Sequence, residues 1–199
     1  HLDPSSTTAR CPSCHTFREN DVIRIEDVSK AYGSAEVVKH VDLEIQKGEW
    51  IGLFGHNGSG KTTLIRMLLG LTRPSSGAIM LDGELANASS WAAFRDRLGF
   101  MPERIAFHEN RSGRETLVYF ARLRGVDNEA ANTLLEQVGL GGAEDKKVGE
   151  YSKGMRQRLN LAQALLGDPE VLVLDEPIEG LDPTGVGQFF DLVEGDGSR

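Results

Sequence analysis

The stretch Gly55-His56-Asn57-Gly58-Ser59-Gly60-Lys61-Thr62 decides the fold, because it fits the phosphate-binding pattern G-x-x-x-x-G-K-[ST]. Glycines let the backbone curl so that successive N–H groups point inward at phosphate oxygens. The Lys61 ammonium can reach the β- and γ-phosphates, and the Thr62 hydroxyl can bind Mg²⁺. A chance glycine-rich turn is the alternative.

The flanking sequence favours the phosphate-binding interpretation over a chance turn. Residues 50–54 (WIGLF) are a short apolar run that predicts a buried strand before the loop. A helix starting near Lys61 is predicted after it and adds the positive end of its dipole. Its apolar residues stand at helical spacing: Leu64, Met67, Leu68 and Leu71. Gly70 stands near the end of the predicted helix and acts as a stop.

A second apolar run ends in two adjacent acids. Val171-Leu172-Val173-Leu174 predicts a central parallel strand, and Asp175-Glu176 follows it directly. Ligands of open α/β sheets bind at the carboxyl ends of the strands, so these acids are expected beside the phosphate loop. Asp175 would hold the Mg²⁺ shell, and Glu176 could polarise the attacking water.

The remaining pattern predicts an α/β fold. Alternating residues around Ile23 and Val41 predict two half-buried strands, joined by a turn at Tyr32-Gly33. Three helices are predicted further on. Their start signals are the capping box Ser112-Gly113-Arg114-Glu115, Asp127, and Ser152 ahead of Lys153. We therefore expect a mostly parallel sheet, an antiparallel N-terminal β part and an inserted helical block.

Composition limits the class of protein. The 199 residues carry 22 Lys and Arg against 30 Asp and Glu, a net charge of −8, which argues against a nucleic-acid-binding surface. No apolar run reaches the length of a membrane span. Residues 1–18 are rich in Ser, Thr and Pro and are predicted to be a flexible tail; residues 19–199 are expected to form one domain.

The discriminating stretch is Tyr151-Ser152-Lys153-Gly154-Met155-Arg156-Gln157-Arg158, which resembles the signature sequence of ABC ATPases. Further motifs follow that family's order. Tyr32-Gly33 resembles the A-loop, Gly99-Phe100-Met101-Pro102-Glu103 the Q-loop, and Gly180-Leu181-Asp182-Pro183 the D-loop. The resemblance implies a P-loop NTPase core of the RecA type, with a helical subdomain at about 104–150 and a signature helix at 152–166.

The resemblance also implies roles for individual residues. Glu176, Lys61 and Glu103 would be catalytic, while Thr62, Glu103 and Asp175 would bind Mg²⁺. Tyr32 would stack on adenine, although it could be an ordinary half-buried aromatic residue. Ser152 would be a helix N-cap that also touches phosphate, and Asp182 is a dimer-interface residue or only a turn residue. The full set implied to contact ATP is Tyr32, Gly55, Asn57, Gly58, Ser59, Gly60, Lys61, Thr62, Thr63, Ser152, Gly154 and Asp182.

Three departures from the family pattern qualify the expectations. Lys153 and Met155 replace the usual Gly and Gln of the signature, which keeps the Ser and Gly that should matter most. Glu103 stands where many members have Gln, and its extra charge could alter coupling. The family also has a switch histidine beyond the second carboxylate, but all five histidines of this chain precede Asp175. The resemblance therefore predicts a C-terminally truncated copy, which could be a nucleotide-binding fragment with impaired hydrolysis.

The implied partners are a second ATPase subunit and an integral membrane permease, with the chain on the cytoplasmic, inner face of the membrane. Runs around Phe54, Ser112 and Tyr151 resemble the ATPase subunits of nitrous-oxide-reductase maturation transporters, which would add a periplasmic copper-related protein and a role in copper-site assembly. Another exporter of the ABC-2 type, or a soluble ABC ATPase in translation or DNA repair, is the alternative.

The only two cysteines lie in Cys11-Pro12-Ser13-Cys14-His15, which has the form of a haem-attachment motif and could also supply thiolates to a metal. Haem attachment would need export, which the rest of the chain argues against. Chance occurrence in a tail is the preferred interpretation.

Overall fold

The computed structural model describes residues 21–56, 58–178, 181 and 183–194. The predicted tail and its cysteine motif lie outside these residues. Contacts divide the chain into two compact units, the first ending at Trp91 and the second beginning at Ala92.

The first unit is built on an antiparallel sheet. Strands β1 (Asp21–Tyr32) and β2 (Ala35–Gln46) pair with Ile23 opposite Ile45, and Gly33 makes the turn between them at φ 61°. Strands β3 (Ser76–Leu81) and β4 (Glu84–Leu85) complete the order β2-β1-β3-β4. This arrangement confirms the antiparallel N-terminal part.

Helix α1 (Lys61–Leu68) follows the glycine-rich loop as predicted. Its buried face is formed by Leu64, Ile65, Met67 and Leu68. Gly70 lies at φ 66°, and a β-carbon there would approach the Trp91 ring to 2.5 Å, so a glycine ends this helix for two reasons. Leu71, which the spacing assigned to the apolar face, lies beyond the helix and is exposed.

The second unit combines a parallel strand pair with helices. Strand β5 (Leu98–Met101) pairs with β6 (Val171–Leu174), from Leu98 opposite Val171 to Met101 opposite Leu174. The helices are α3 (Gly113–Leu123), α4 (Asn128–Gln137), a 3₁₀ turn (Val148–Glu150), α5 (Lys153–Leu165) and α6 (Pro183–Glu194). Helix α2 (Ala88–Asp96) spans the boundary between the units. None of the described helices is long and apolar enough to cross a membrane.

The predicted helix starts are confirmed. Ser112 and Glu115 form a reciprocal capping box at α3, Asp127 caps α4 and Ser152 caps α5. Arg114 also stabilises the start of α3, because its Nε donates a hydrogen bond to the Asp145 carboxylate at 2.8 Å. That guanidinium lowers the pKa of the Asp145 carboxyl below its ordinary value.

The strand predicted at residues 50–54 is wrong for this structure. Residues 49–56 have irregular backbone, and Phe54 is 95% exposed. An apolar run becomes a central strand only when neighbouring strands accept and donate its backbone hydrogen bonds. This run pairs with no described strand, so its apolar pattern alone does not give it strand geometry.

The expectation of a mostly parallel sheet also needs correction. Within the described ranges, parallel pairing is confined to β5 and β6, and the larger sheet is antiparallel. Strand β6 therefore has one described neighbour rather than the two of a central strand.

Candidate nucleotide site

The glycine-rich loop has the backbone curvature that its sequence predicts. Gly58 and Gly60 have φ values of 83° and 94°, which other residues rarely adopt. The Ser59 N–H donates to the His56 carbonyl at 3.1 Å and closes the turn. A β-carbon on Gly60 would lie 2.6 Å from the Val37 carbonyl oxygen, so glycine is required there for space as well as for conformation. Asn57 lies outside the described residues.

Lys61 begins α1 and turns its side chain back over the loop. Its Nζ donates to the carbonyl oxygens of Gly55 at 2.7 Å and His56 at 3.3 Å. The ammonium therefore sits over the curled backbone, where the pattern places phosphate oxygens. Thr62 follows in the first helical turn with an exposed side chain, and that turn contains no acidic residue.

A cavity of about 380 Å³ adjoins this loop. Its walls are mostly apolar and include two lysines and a serine: Val37, Val38, Lys39, Val41, Leu53, Phe54, Ser59, Gly60, Lys61 and Leu64. A mostly apolar cavity with a few polar groups suits a small-molecule ligand. At Gly60 a β-carbon would clash, and an ammonium group lies over the loop. Both features suit a phosphate ligand in particular.

Tyr32 ends β1 with its ring half in solvent. The side chain is 49% exposed, so the ring is not a core aromatic residue. Lys30 Nζ lies 5.1 Å from the ring centroid and also donates to the Arg73 carbonyl at 2.7 Å. The lysine thus holds a cation against the tyrosine ring.

The acidic residues lie at the carboxyl ends of β5 and β6. Asp175 is buried directly after β6, and its N–H donates to the Met101 carbonyl at 2.9 Å. Glu103 follows β5 by two residues, with Arg104 Nε at 3.2 Å from its Oε1. The parallel pairing therefore brings the Glu103 segment and Asp175 to the same edge of the strand pair.

Glu176 has an exposed side chain and a left-handed backbone, with φ 51°. Outside glycine this conformation is uncommon and costs roughly 1–2 kcal/mol. Strained backbone of this kind is concentrated at functional sites.

The signature segment presents a helix N-terminus. Ser152 Oγ accepts from the Met155 N–H at 3.2 Å, which confirms the predicted N-cap. Of the residues that the structure describes, a β-carbon on Gly154 would meet only Leu181 at 3.8 Å and Ser152 at 4.0 Å, so the start of α5 is open with respect to them. Asp182 lies outside the described residues.

The predicted site residues fall into two groups. The phosphate loop, Lys61, Thr62, Thr63 and Tyr32 belong to the first unit, and the acids with Ser152 and Gly154 belong to the second. The residues of each group therefore lie within a single unit.

Two polar residues of the second unit were missed by the sequence interpretation. Gln157 donates to the Pro177 carbonyl at 2.8 Å, and Asn160 donates to the Pro102 carbonyl at 2.8 Å. Both are buried on α5. The available signal was an amide side chain at a position of the helix that its period assigns to the buried face.

A glycine-rich loop that opens a helix, and an apolar strand that ends in two acids, together define a phosphate-loop NTPase. The chain belongs to the ABC transporter family, whose model matches residues 38–179. The ATPase domains of that family hydrolyse ATP in a transport-coupled manner.

Named relatives support this assignment. The bacitracin transport ATP-binding protein BcrA of Bacillus licheniformis is 42% identical over 173 residues, covering 86% of this chain and 56% of that protein. Nod factor export ATP-binding protein I of Burkholderia lata is 45% identical over 165 residues, covering 81% of this chain and 54% of that protein. The chain thus spans little more than half the length of these relatives.

A solved structure supports the fold. CbiO1 of Clostridium perfringens, part of the ABC transporter complex cbiONQ, matches with a TM-score of 0.76 and 27% identity. The match covers 88% of this chain and 73% of that one.

Proposed function

We propose that this chain is the ATP-binding and ATP-hydrolysing part of an ABC transporter that exports its cargo. The observation that carries the proposal is Lys61, held over a curled glycine loop at the start of α1. Relatives named for bacitracin transport and Nod factor export favour an exporter.

ATP would be bound by the loop and by Tyr32. The N–H groups of the loop and the N-terminus of α1 donate to phosphate oxygens, and Lys61 exchanges its two carbonyl contacts for phosphate. The half-exposed Tyr32 ring stacks on adenine. The mostly apolar cavity beside the loop would contact the bound nucleotide.

Thr62, Glu103 and Asp175 would bind Mg²⁺ in the active enzyme, because this ion prefers hydroxyl and carboxylate oxygens. When bound, it would neutralise charge on the β- and γ-phosphates. Glu176, on its exposed and strained turn, would orient the attacking water and accept its proton.

The partners would be a second ATPase subunit and a membrane permease, with the chain at the cytoplasmic face of the membrane. Ser152 and the open start of α5 would donate to the γ-phosphate of the ATP held by the second subunit. Asp182 would lie at the same interface.

The cargo has two candidate classes. The named relatives, one for bacitracin transport and one for Nod factor export, favour an exported compound of one of those two kinds. Copper-site assembly of nitrous oxide reductase, with a periplasmic copper-related partner, rests on the sequence resemblance around Phe54, Ser112 and Tyr151 alone. The exporter is therefore the preferred assignment.

The substitution Lys61→Ala tests nucleotide binding. It should abolish Mg-ATP binding and leave the fold intact, because it removes only the counter-ion of the phosphates. Binding is measured by isothermal titration calorimetry, and folding by circular dichroism. Lys47→Ala, which removes an exposed lysine from the turn after β2, is the charge-matched control and should bind as the parent does. An affinity for Lys61→Ala within a few-fold of the parent would show the loop assignment to be wrong.

A further inference from the structure

Helix α5 carries two buried amide side chains, Gln157 and Asn160, one turn apart. Gln157 is 9% exposed and Asn160 is 2% exposed. The Gln157 Nε2 donates to the Pro177 carbonyl, and the Asn160 Nδ2 donates to the Pro102 carbonyl, both at 2.8 Å. Both side chains therefore project from the same face of α5, and both donate to a proline carbonyl.

The two prolines flank the two exposed acids of the site. Pro102 directly precedes Glu103, and Pro177 directly follows Glu176. Proline has no N–H, so its carbonyl is the only hydrogen-bonding group of its backbone. Each amide thus donates a hydrogen bond to the backbone next to an acidic residue. Neither of these two backbone segments forms a helix or a strand.

The helix that carries these amides is itself fixed on the strand pair. A β-carbon on Gly99 of β5 would lie 2.9 Å from both Leu172 and Pro169, and it would collide with the Ala164 carbonyl of α5. Arg124 adds donors to the carbonyls of Leu166 and Leu98, one just past α5 and one in β5. The backbones of α5 and β5 are therefore in direct contact at Gly99.

Asn160 is a poor choice for stability alone. Its Oδ1 is buried and has no hydrogen-bond partner among the residues that the structure describes, which costs free energy that an apolar side chain would not lose. The favourable contact of this side chain is its bond to Pro102. That bond, rather than packing, explains why an amide occupies the position.

From these contacts we infer that Gln157 and Asn160 are positioning residues. They fix Glu176 and Glu103 relative to α5, whose capped start carries Ser152. Helix α5 then connects the signature segment to both acids. The phosphate contact at Ser152 and the positions of Glu103 and Glu176 are therefore coupled through one helix. This inference rests on the proposed function, but its structural part can be measured without turnover.

The test uses size-matched variants that remove one donor each, Gln157→Met and Asn160→Leu. Millisecond hydrogen exchange follows the N–H groups of Glu103 and Arg104 on one side, and of Glu176 and Ile178 on the other. Asn160→Leu should accelerate exchange on the Glu103 side only, and Gln157→Met on the Glu176 side only. Gln163→Met, a change of a half-buried amide on the same helix, is the control and should accelerate neither.

Turnover gives the second measurement. Each variant should lower kcat by on the order of 10-fold to 100-fold, because small displacements of reacting groups are that costly. The Kd for ATP should stay within about twofold of the parent, because the phosphate loop is untouched. The thermal midpoint of Asn160→Leu should match or exceed that of the parent, which separates positioning from loss of stability.

Unchanged exchange beside both acids, or the same acceleration in all three variants, would overturn the inference. If the parent neither binds nor hydrolyses ATP, the proposed function fails. The side-specific exchange pattern then still decides whether the two amides position the acid segments.

Discussion

At the scale of single residues, the structure separates groups that a motif can predict from groups that only packing creates. Lys61 and Glu176 were predicted because each stands close in sequence to the element that positions it. That element is the glycine-rich loop for Lys61 and the end of β6 for Glu176. Gln157 and Asn160 were missed because their partners, Pro177 and Pro102, are brought near only when α5 packs on β5 and β6. A contact between distant segments leaves no local pattern in one sequence.

The half-exposed ring of Tyr32 gives a prediction at the same scale. Tyr32→Ala should weaken ATP binding by about 1–2 kcal/mol through lost stacking, which is roughly 5-fold to 30-fold in Kd. Tyr32→Phe should be mild, because the ring and its contact with the Lys30 ammonium are kept. Fluorescence titration with a labelled ATP measures both.

Tyr119→Ala provides the matched control for this prediction. Tyr119 on α3 is 50% exposed, nearly the same as Tyr32, and should be neutral for ATP binding. Equal losses for the Phe and Ala variants of Tyr32 would point to its hydroxyl group instead of the ring.

At the scale of elements, helix boundaries were predictable and the phosphate-loop strand was not. Ser112, Asp127 and Ser152 cap helices through bonds within three residues of themselves, so the sequence contains both partners. A strand depends on partners elsewhere in the chain, and residues 50–54 show that an apolar run without a described partner remains irregular. The same dependence explains why the extent of the parallel sheet was overestimated.

The start of α3 gives an element-scale prediction. A β-carbon on Gly113 would collide with the Tyr151 hydroxyl, which is held in place by donating to the Ala143 carbonyl at 2.8 Å. Gly113→Ala should therefore destabilise the protein by about 1–3 kcal/mol, as overpacking does. This loss should outweigh the gain of up to roughly 1 kcal/mol that alanine usually brings to a helix.

Urea unfolding measures this effect against Gly187→Ala. Gly187 lies in α6, and a β-carbon there would meet no atom of the described residues within 4 Å. The control should leave stability unchanged or raise it. A Gly113→Ala variant as stable as the parent would mean that Tyr151 moves aside without cost.

At the scale of the whole molecule, the residues that the proposed function assigns to ATP binding and hydrolysis fall in two compact units. The first holds the loop and Lys61, and the second holds the acids and the signature. The net charge of −8 makes two copies repel each other, so any pairing needs a specific attraction. Under the proposed function, that attraction is ATP bound by one copy and contacted by the start of α5 in the other.

The last prediction concerns this ATP-dependent pairing. In the presence of Mg-ATP, Glu176→Gln should retain ATP binding, stop hydrolysis and accumulate as a dimer, because the nucleotide that joins the two copies is no longer consumed. Sedimentation velocity at about 0.15 M salt measures the dimer, since the Debye length of about 8 Å then screens the repulsion between copies.

Adding Ser152→Glu to this variant should weaken the dimer at least about tenfold, because a carboxylate would face the γ-phosphate where the open start of α5 now lies. A glutamate at a helix N-terminus is compatible with the helix dipole, so α5 itself should persist. Thr133→Glu, on the exposed face of α4, adds the same charge elsewhere and should leave the dimer intact. ATP binding to the monomer should survive in both. A dimer that tolerates Ser152→Glu as well as it tolerates Thr133→Glu would remove Ser152 from the interface and leave the start of α5 with only its capping role.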